Sequence, residues 1–333
     1  QGRSYLEILR AGGGILNTVK ATRSASEQTL LSETKARMDT LFRNGTTTAE
    51  VKTGYGLNTA SELWLLKAIL QLSSTGPMQL VPTFLGAHAV PVEFRVDKKI
   101  DTDGYTQLIC TEMLPTIRQW WENNAKTLPL PFVDVFCEED VFNLEQSSQI
   151  FSTAHKLGFP LKIHADEFKS IGGVQLAVEM GAVSADHLVQ TSTAELASLA
   201  KCDTVAVLLP TTPFSLGESH QAAAREMIKA GCTIAIASDI NPGTAWCESM
   251  QFVVALACRT LHLTPAEAIA ATTINAAAAI RKQDNLGSIE TGKQADLLIL
   301  NTPDYRHLAY RFGGNLVRNV IKKGKLYSFD IPE

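Results

Sequence analysis

Short apolar runs alternate with longer amphipathic stretches through most of the chain. Segments 46–52, 79–84, 132–137, 161–164, 183–187, 204–209 and 233–238 are rich in Val, Ile, Thr or Leu, and turn residues bound them. That pattern predicts seven strands. Between them, 61–71, 105–123, 144–156, 174–180, 194–201 and 221–229 carry helical spacing, and 249–261 and 265–280 continue it past the last strand. Near the start, Gly12-Gly13-Gly14 predicts a flexible break. A helix then begins at Ser26 or Glu27, runs through Leu31 to about Arg43, and is stopped by Asn44-Gly45. The strands read as lacking polar alternation, as expected where helices cover both faces of a parallel sheet. Strands alternating with helices predict the α/β class and a (β/α)8 TIM-like barrel with its first strand absent from this chain. An open doubly wound sheet is the alternative, but no glycine-rich phosphate loop follows the first strand.

The pattern changes after residue 286. Gly287 to Leu300 reads as a turn and then an apolar strand. Val320 to Tyr327 reads as a hairpin with Lys323-Gly324 at its turn. The expected division is a barrel over 1–283 and strands of a small composite β domain over 284–333. Two or three strands are marginal alone, so their partners are expected upstream of Gln1.

Composition narrows the class. The 333 residues carry a net charge of -4, against the basic face of a nucleic-acid protein. No apolar run approaches the roughly 18–20 residues that span a bilayer, and no basic-then-apolar leader opens the chain. Six cysteines are scattered without a CxxC pair, as in a reduced cytoplasmic protein.

Polar groups gather at the predicted strand ends. Lys52-Thr53-Gly54-Tyr55 follows the first strand and Leu85-Gly86-Ala87-His88 the second. His164-Ala165-Asp166-Glu167 follows the fourth, Ser184-Ala185-Asp186-His187 the fifth, and Ser238-Asp239-Ile240-Asn241-Pro242-Gly243-Thr244 the seventh. A barrel brings such ends to one face. Imidazole and carboxylate together can hold a divalent metal and activate a water. Each residue also has a plainer reading. His88 or His187 alone reads as a hydrogen-bonded structural histidine, Asp186 as a cap, Asn241-Pro242-Gly243 as a turn, and Tyr55 as a loop-packing residue. On strand alternation, His164 and Asp166 share a face, which makes Asp166 the expected partner of His164.

The runs Lys52-Thr53-Gly54-Tyr55-Gly56-Leu57, Phe84 to Pro91, Asp134-Val135-Phe136-Cys137-Glu138, Ile163 to Glu167, Ser184 to Leu188, Leu208-Leu209-Pro210 and Ser238 to Thr244 stand in the order of a known family. In them the chain resembles the amidohydrolase superfamily, and within it the imidazolonepropionase family. The resemblance implies metal-dependent hydrolysis of the cyclic amide C–N bond of 4-imidazolone-5-propanoate, giving N-formimidoyl-L-glutamate in histidine degradation. It implies one metal ion, zinc or iron, with His164 and Asp239 as ligands. Glu167, His187 and Asp239 are the implied catalytic groups. Tyr55, His88, Glu167, Asn241, Gly243 and Thr244 are the implied substrate contacts. A homodimer in the cytoplasm is implied, with a small-molecule substrate and no nucleic-acid or membrane partner. The family's His-x-His pair and following arginine have no counterpart among the seven histidines here, and are expected before Gln1. Another cyclic amidohydrolase or deaminase, or a metal-free non-catalytic barrel, are the competing expectations.

Overall fold

The computed structural model describes residues 14–96 and 99–329. Seven parallel strands form one sheet in sequential order: β1 (Thr48–Lys52), β2 (Gln79–Ala87), β3 (Phe132–Cys137), β4 (Leu161–Ala165), β5 (Ser184–His187), β6 (Val205–Leu208) and β7 (Ile234–Ile236). A side-chain contact shows that the sheet curls. Lys52 Nζ on β1 lies 3.1 Å from Asp186 Oδ2 on β5, whereas strands four places apart on a flat sheet would lie about 19 Å apart. The curl makes a TIM-like (β/α) barrel, whose edge strands among the described residues are β1 and β7.

Outward-facing positions such as Val133, Val135, Ile163, Ala165 and Ala185 are buried in the main apolar core with the surrounding helices. The other face of the strands corrects the expectation of little alternation. Glu50 and Lys52, Asp134, Lys162 and His164, and Ser184 and Asp186 recur at every second position on β1, β3, β4 and β5. They interact with one another across the inside of the barrel.

Helix termini follow local chemistry. Asn143 and Gln146 form a reciprocal cap on the helix Leu144–Lys156, and Ser192 with Glu195 does the same for Thr193–Leu199. The helix predicted over 105–123 is not continuous. Thr102–Leu108 and Leu114–Asn124 flank a π-helical turn at Ile109–Met113. Pro115 lacks the N–H that would close the regular ladder there. The helix predicted over 265–280 divides into Pro265–Thr272 and Ile274–Ala278. At the junction the Thr272 and Thr273 hydroxyls bond back to the Ala268 and Ile269 carbonyls, competing with the backbone ladder. Gly12 and Gly13 of the predicted break lie outside the described residues. Gly14, at φ +59°, precedes a helix over Ile15–Ser24 that the pattern did not predict.

The tail forms a second, antiparallel sheet of β8 (Leu297–Leu300), β9 (Val317–Lys322) and β10 (Lys325–Ser328). Lys323 and Gly324 both have positive φ, 51° and 78°, the backbone of a tight primed hairpin turn. Val317 and Val320 are buried against Met38, Leu41, Phe42, Ile69 and Leu72, and the Phe42 ring meets Tyr327 edge-on at 5.1 Å. Buried Lys322 pairs with Asp296 at 2.6 Å and reaches Thr48 Oγ1 at 3.3 Å, which ties the small sheet to the start of β1.

Candidate functional site

The tip of β4 organises the site. The strand runs regularly through His164 and Ala165, then breaks because Asp166 adopts φ +56°. An aspartate tolerates the left-handed region better than most residues. The break overturns the partnership expected from alternation. Asp166 turns into a buried place beside Thr191 and Ser170, where burial raises its acid to about 6. His164 instead donates from Nδ1 to Asp134 Oδ1 on β3 at 3.0 Å. Burial alone would lower the His164 pKa, but Asp134 outweighs it and the net direction is up. Past the break, Glu167 stands 3.5 Å from His187 Nε2. Burial pushes the Glu167 acid well above the usual carboxylate range, and the Asp239 carboxylate pushes it further. Glu138 at the tip of β3 accepts from the N–H groups of Phe168 and Lys169, fixing the turn that carries Glu167.

His187 ends β5 at φ 80°. Its ring centroid lies 5.2 Å from that of His164. Burial lowers its pKa to about 4 despite the opposing pull of Asp239, so the ring is neutral, and its Nδ1 is buried without a hydrogen-bond partner. Asp239, after β7, also lies in the left-handed region at φ 50°. Its Oδ2 accepts from Thr212 Oγ1 at 2.6 Å. Its charge is felt at Tyr55, Glu167 and His187, so the tips of β1, β4, β5 and β7 meet.

Tyr55 and His88 complete the wall. Tyr55 meets the His88 ring edge-on at 5.2 Å, and His88 lies 6.5 Å from His164 between ring centroids. Burial drives the Tyr55 phenol up and the His88 imidazole down to about 4. His88 Nδ1 bonds the Gly54 carbonyl at 3.0 Å. The loop over 54–57 wraps around Glu62, whose fully buried carboxylate accepts from the N–H groups of Gly54, Gly56 and Leu57. Gly54, at φ +96°, is needed for that wrap. Asn241, Gly243 and Thr244 stand beyond Asp239 in one turn. The Asn241 side chain accepts from the N–H groups of Gly243 (2.8 Å) and Thr244 (2.7 Å) and donates to the Asp239 carbonyl (2.7 Å). The Asn-Pro-Gly sequence thus does what its turn signature predicts, and the turn holds Asp239 from behind.

Below these tips lies a group that the sequence reading missed. Lys52 Nζ donates to Glu50 (2.7 Å), Asp134 (2.7 Å) and Asp186 (3.1 Å). Lys162 pairs with Glu50 at 3.0 Å and donates to Ser184. Burial opposes every one of these carboxylates, but the lysines at Glu50 and Asp186, and His164 followed by Lys52 at Asp134, outweigh it and hold all three ionised. Asp186 is therefore part of a barrel-interior ion network and not a cap. The period-two recurrence of charged residues inside otherwise apolar strands is the signal that would have found them.

The residues present fit a divalent metal. Asp134, His164 and Asp186 bring three donor atoms within 4.8 Å of one another, but Lys52 already neutralises the two carboxylates. With Nδ1 held by Asp134, the ring nitrogen left to His164 for a metal is Nε2, the arrangement in which a carboxylate orients a ligating histidine. Asp239, with Oδ2 held by Thr212, has Oδ1 to offer. A nitrogen and a carboxylate oxygen suit a divalent transition metal.

Comparison with known proteins agrees with this geometry. The profile described as the amidohydrolase family matches residues 141–327. An imidazolonepropionase of Herpetosiphon aurantiacus is 49% identical over 326 residues, 98% of this chain and 75% of that protein. One from Symbiobacterium thermophilum is 47% identical over 98% of this chain and 74% of its own length. Among solved structures, a zinc-bound adenosine deaminase from Xanthomonas campestris superposes with a TM-score of 0.69 at 18% identity, covering 98% of this chain and 75% of that one. Escherichia coli guanine deaminase gives 0.65 at 18% identity, covering 91% and 78%. At that identity these two share the fold.

Proposed function

We propose, from the premise that the chain belongs to the imidazolonepropionase family of the amidohydrolases, that it hydrolyses the cyclic amide C–N bond of 4-imidazolone-5-propanoate to N-formimidoyl-glutamate. The observation that carries the substrate is the 49% identity over 98% of the chain to a curated imidazolonepropionase. The gathering of Glu167, His187 and Asp239 beside His164 supports the chemistry.

His164 Nε2 and Asp239 would hold the metal, and zinc or iron is the ion we propose. When bound, it polarises a water and the scissile carbonyl as a Lewis acid. Asp239 takes a proton from the attacking water as the new C–O bond forms. The neutral imidazole of His187 donates its one N–H to the oxygen that gains charge. Glu167, kept protonated by burial and by Asp239, passes its proton to the ring nitrogen as the C–N bond breaks. Two neighbouring carboxyl groups thus take opposite roles, with Glu167 the one whose acid is raised by burial. Tyr55 and His88 line the substrate's side of the cluster, with Gly243 and Thr244 at the turn beyond Asp239. The same proposal takes the substrate to be a small molecule in the cytoplasm and the enzyme to be a homodimer.

Turnover by the natural full-length, metal-loaded protein tests this reading. It predicts decay of the ultraviolet absorbance of 4-imidazolone-5-propanoate, with no comparable activity on a panel of other cyclic amides and aminated rings. A metal-loaded protein that leaves imidazolone propanoate intact, or that prefers another ring, contradicts it.

A further inference from the structure

We propose that Lys52 is a resident cation whose ammonium takes the place of a second metal ion, limiting the centre to one metal per chain. The inference rests on the proposed assignment of His164 and Asp239 as ligands to that one metal. Asp134, His164 and Asp186 are buried, come from three adjacent strands, and present donor atoms within 4.8 Å of one another. With one His164 nitrogen held by Asp134 and the other assigned to the first metal, the donors left for a second dication are the oxygens of Asp134 and Asp186, joined by Glu50. A cation is already there. Lys52 Nζ touches Asp134 Oδ2 at 2.7 Å, Asp186 Oδ2 at 3.1 Å and Glu50 Oε1 at 2.7 Å.

Charge balance makes the ammonium necessary. Glu50, Asp134 and Asp186 are three carboxylates, and Lys52 and Lys162 are the two ammonium groups that face them. Lys162 is committed to Glu50 at 3.0 Å and to Ser184 at 2.8 Å, so it does not substitute at Asp134 or Asp186. Shortening Lys52 would leave those two carboxylates facing each other in a buried space with no cation between them, only the His164 N–H at Asp134, the Ser184 hydroxyl at Asp186 and Lys162 beyond it, which is strongly unfavourable. A dication would relieve this. Ligand distances of about 2.0–2.2 Å to oxygen ask the carboxylates to close in by roughly 0.5–1.1 Å from their present 2.7 Å and 3.1 Å to the ammonium. Asp134 would then bridge from its hydrogen bond with His164 to the new ion. In the native chain, Lys52 therefore excludes the second ion and keeps Asp134 oriented towards His164 Nδ1.

The test counts Mn(II) bound to the natural full-length protein by elemental analysis after unbound ion is removed, with circular dichroism to confirm folding. The expected result is one ion per chain in the wild type, even under excess Mn(II), and two in Lys52→Ala. Lys52→Arg, which keeps the charge, and the double variant Lys52→Ala/Asp186→Asn, which removes a donor, should each return to one. Spin coupling between two Mn(II) ions in the electron paramagnetic resonance spectrum of Lys52→Ala would place the pair in one centre. A folded Lys52→Ala that stays at one ion overturns the inference while leaving the metal reading intact. If Lys52→Ala does not fold, the wild type decides: a second strongly bound Mn(II) in its barrel overturns the inference. A wild type that binds no metal overturns the ligand assignment beneath it.

Discussion

At Glu167, burial and the Asp239 carboxylate both favour the protonated acid, while the same burial keeps the neighbouring imidazole of His187 neutral. An acid that holds its proton beside a histidine that lacks one is a suitable pair for moving a proton to a leaving nitrogen. Replacing Asp239 by alanine removes both the proposed ligand and the proposed proton acceptor. Steady-state kinetics should show turnover falling by about 10³-fold or more, and near-normal activity would remove Asp239 from the mechanism. His88 gives a pH test of its surroundings. Its pKa falls from 6.5 unfolded to about 4 folded, so between those values the unfolded chain binds more protons. Stability must then be lost as pH falls from 6.5 towards 4. The spread from 6.5 to about 4 corresponds to at most roughly 3.4 kcal/mol. Denaturant titrations should show metal-free wild type losing stability relative to His88→Asn over that window, and parallel curves would contradict the burial account. His164, Glu167, His187 and Asp239 were all visible as polar residues at strand ends. Their environments were not, because burial and the pairing of His164 with Asp134 depend on which strands become neighbours.

Among elements, the βα loops decide where the chemistry points. The first, over 54–57, is tethered to the opening turn of the helix Thr59–Thr75 by Glu62. Glu62→Ala would strand three backbone donors and loosen Tyr55. We expect a loss of about 3 kcal/mol in chemical denaturation and a larger effect on KM than on kcat. An unchanged stability would show that the loop is held by other contacts, such as Arg23 to the Gly56 carbonyl. Strand and helix positions were largely readable from apolar periodicity, since the predicted strand at 132–137 and helix at 144–156 coincide with Phe132–Cys137 and Leu144–Lys156. The failures have local causes. Pro115 and the Thr272-Thr273 pair interrupt helices whose apolar spacing continues past them. The left-handed turn at Asp166, on which the aim of Glu167 depends, carries no glycine to announce it.

On the scale of the whole molecule, a curled sheet places charge in the interior and chemistry at one end. Glu50, Lys52, Asp134, Lys162 and Asp186 pair with one another inside the barrel, and the tips of β1, β4, β5 and β7 converge above them. The interior was the least legible part. Lys52 and Asp186 stood in separate polar runs at strand ends, with Asp186 read as a cap, and only closure of the sheet makes Lys52 on β1 a neighbour of Asp186 on β5. Similarly, the tail read correctly as strands, but its attachment through Val317, Val320 and the Lys322–Asp296 pair is a tertiary fact. The central claim is metal-dependent hydrolysis at the converged tips. Its most direct test is the rate at which the natural full-length protein consumes 4-imidazolone-5-propanoate before chelation, after chelation, and after zinc or iron is returned. The account predicts that turnover falls in step with bound metal and is restored with it. Undiminished turnover by protein shown to be metal-free would contradict it.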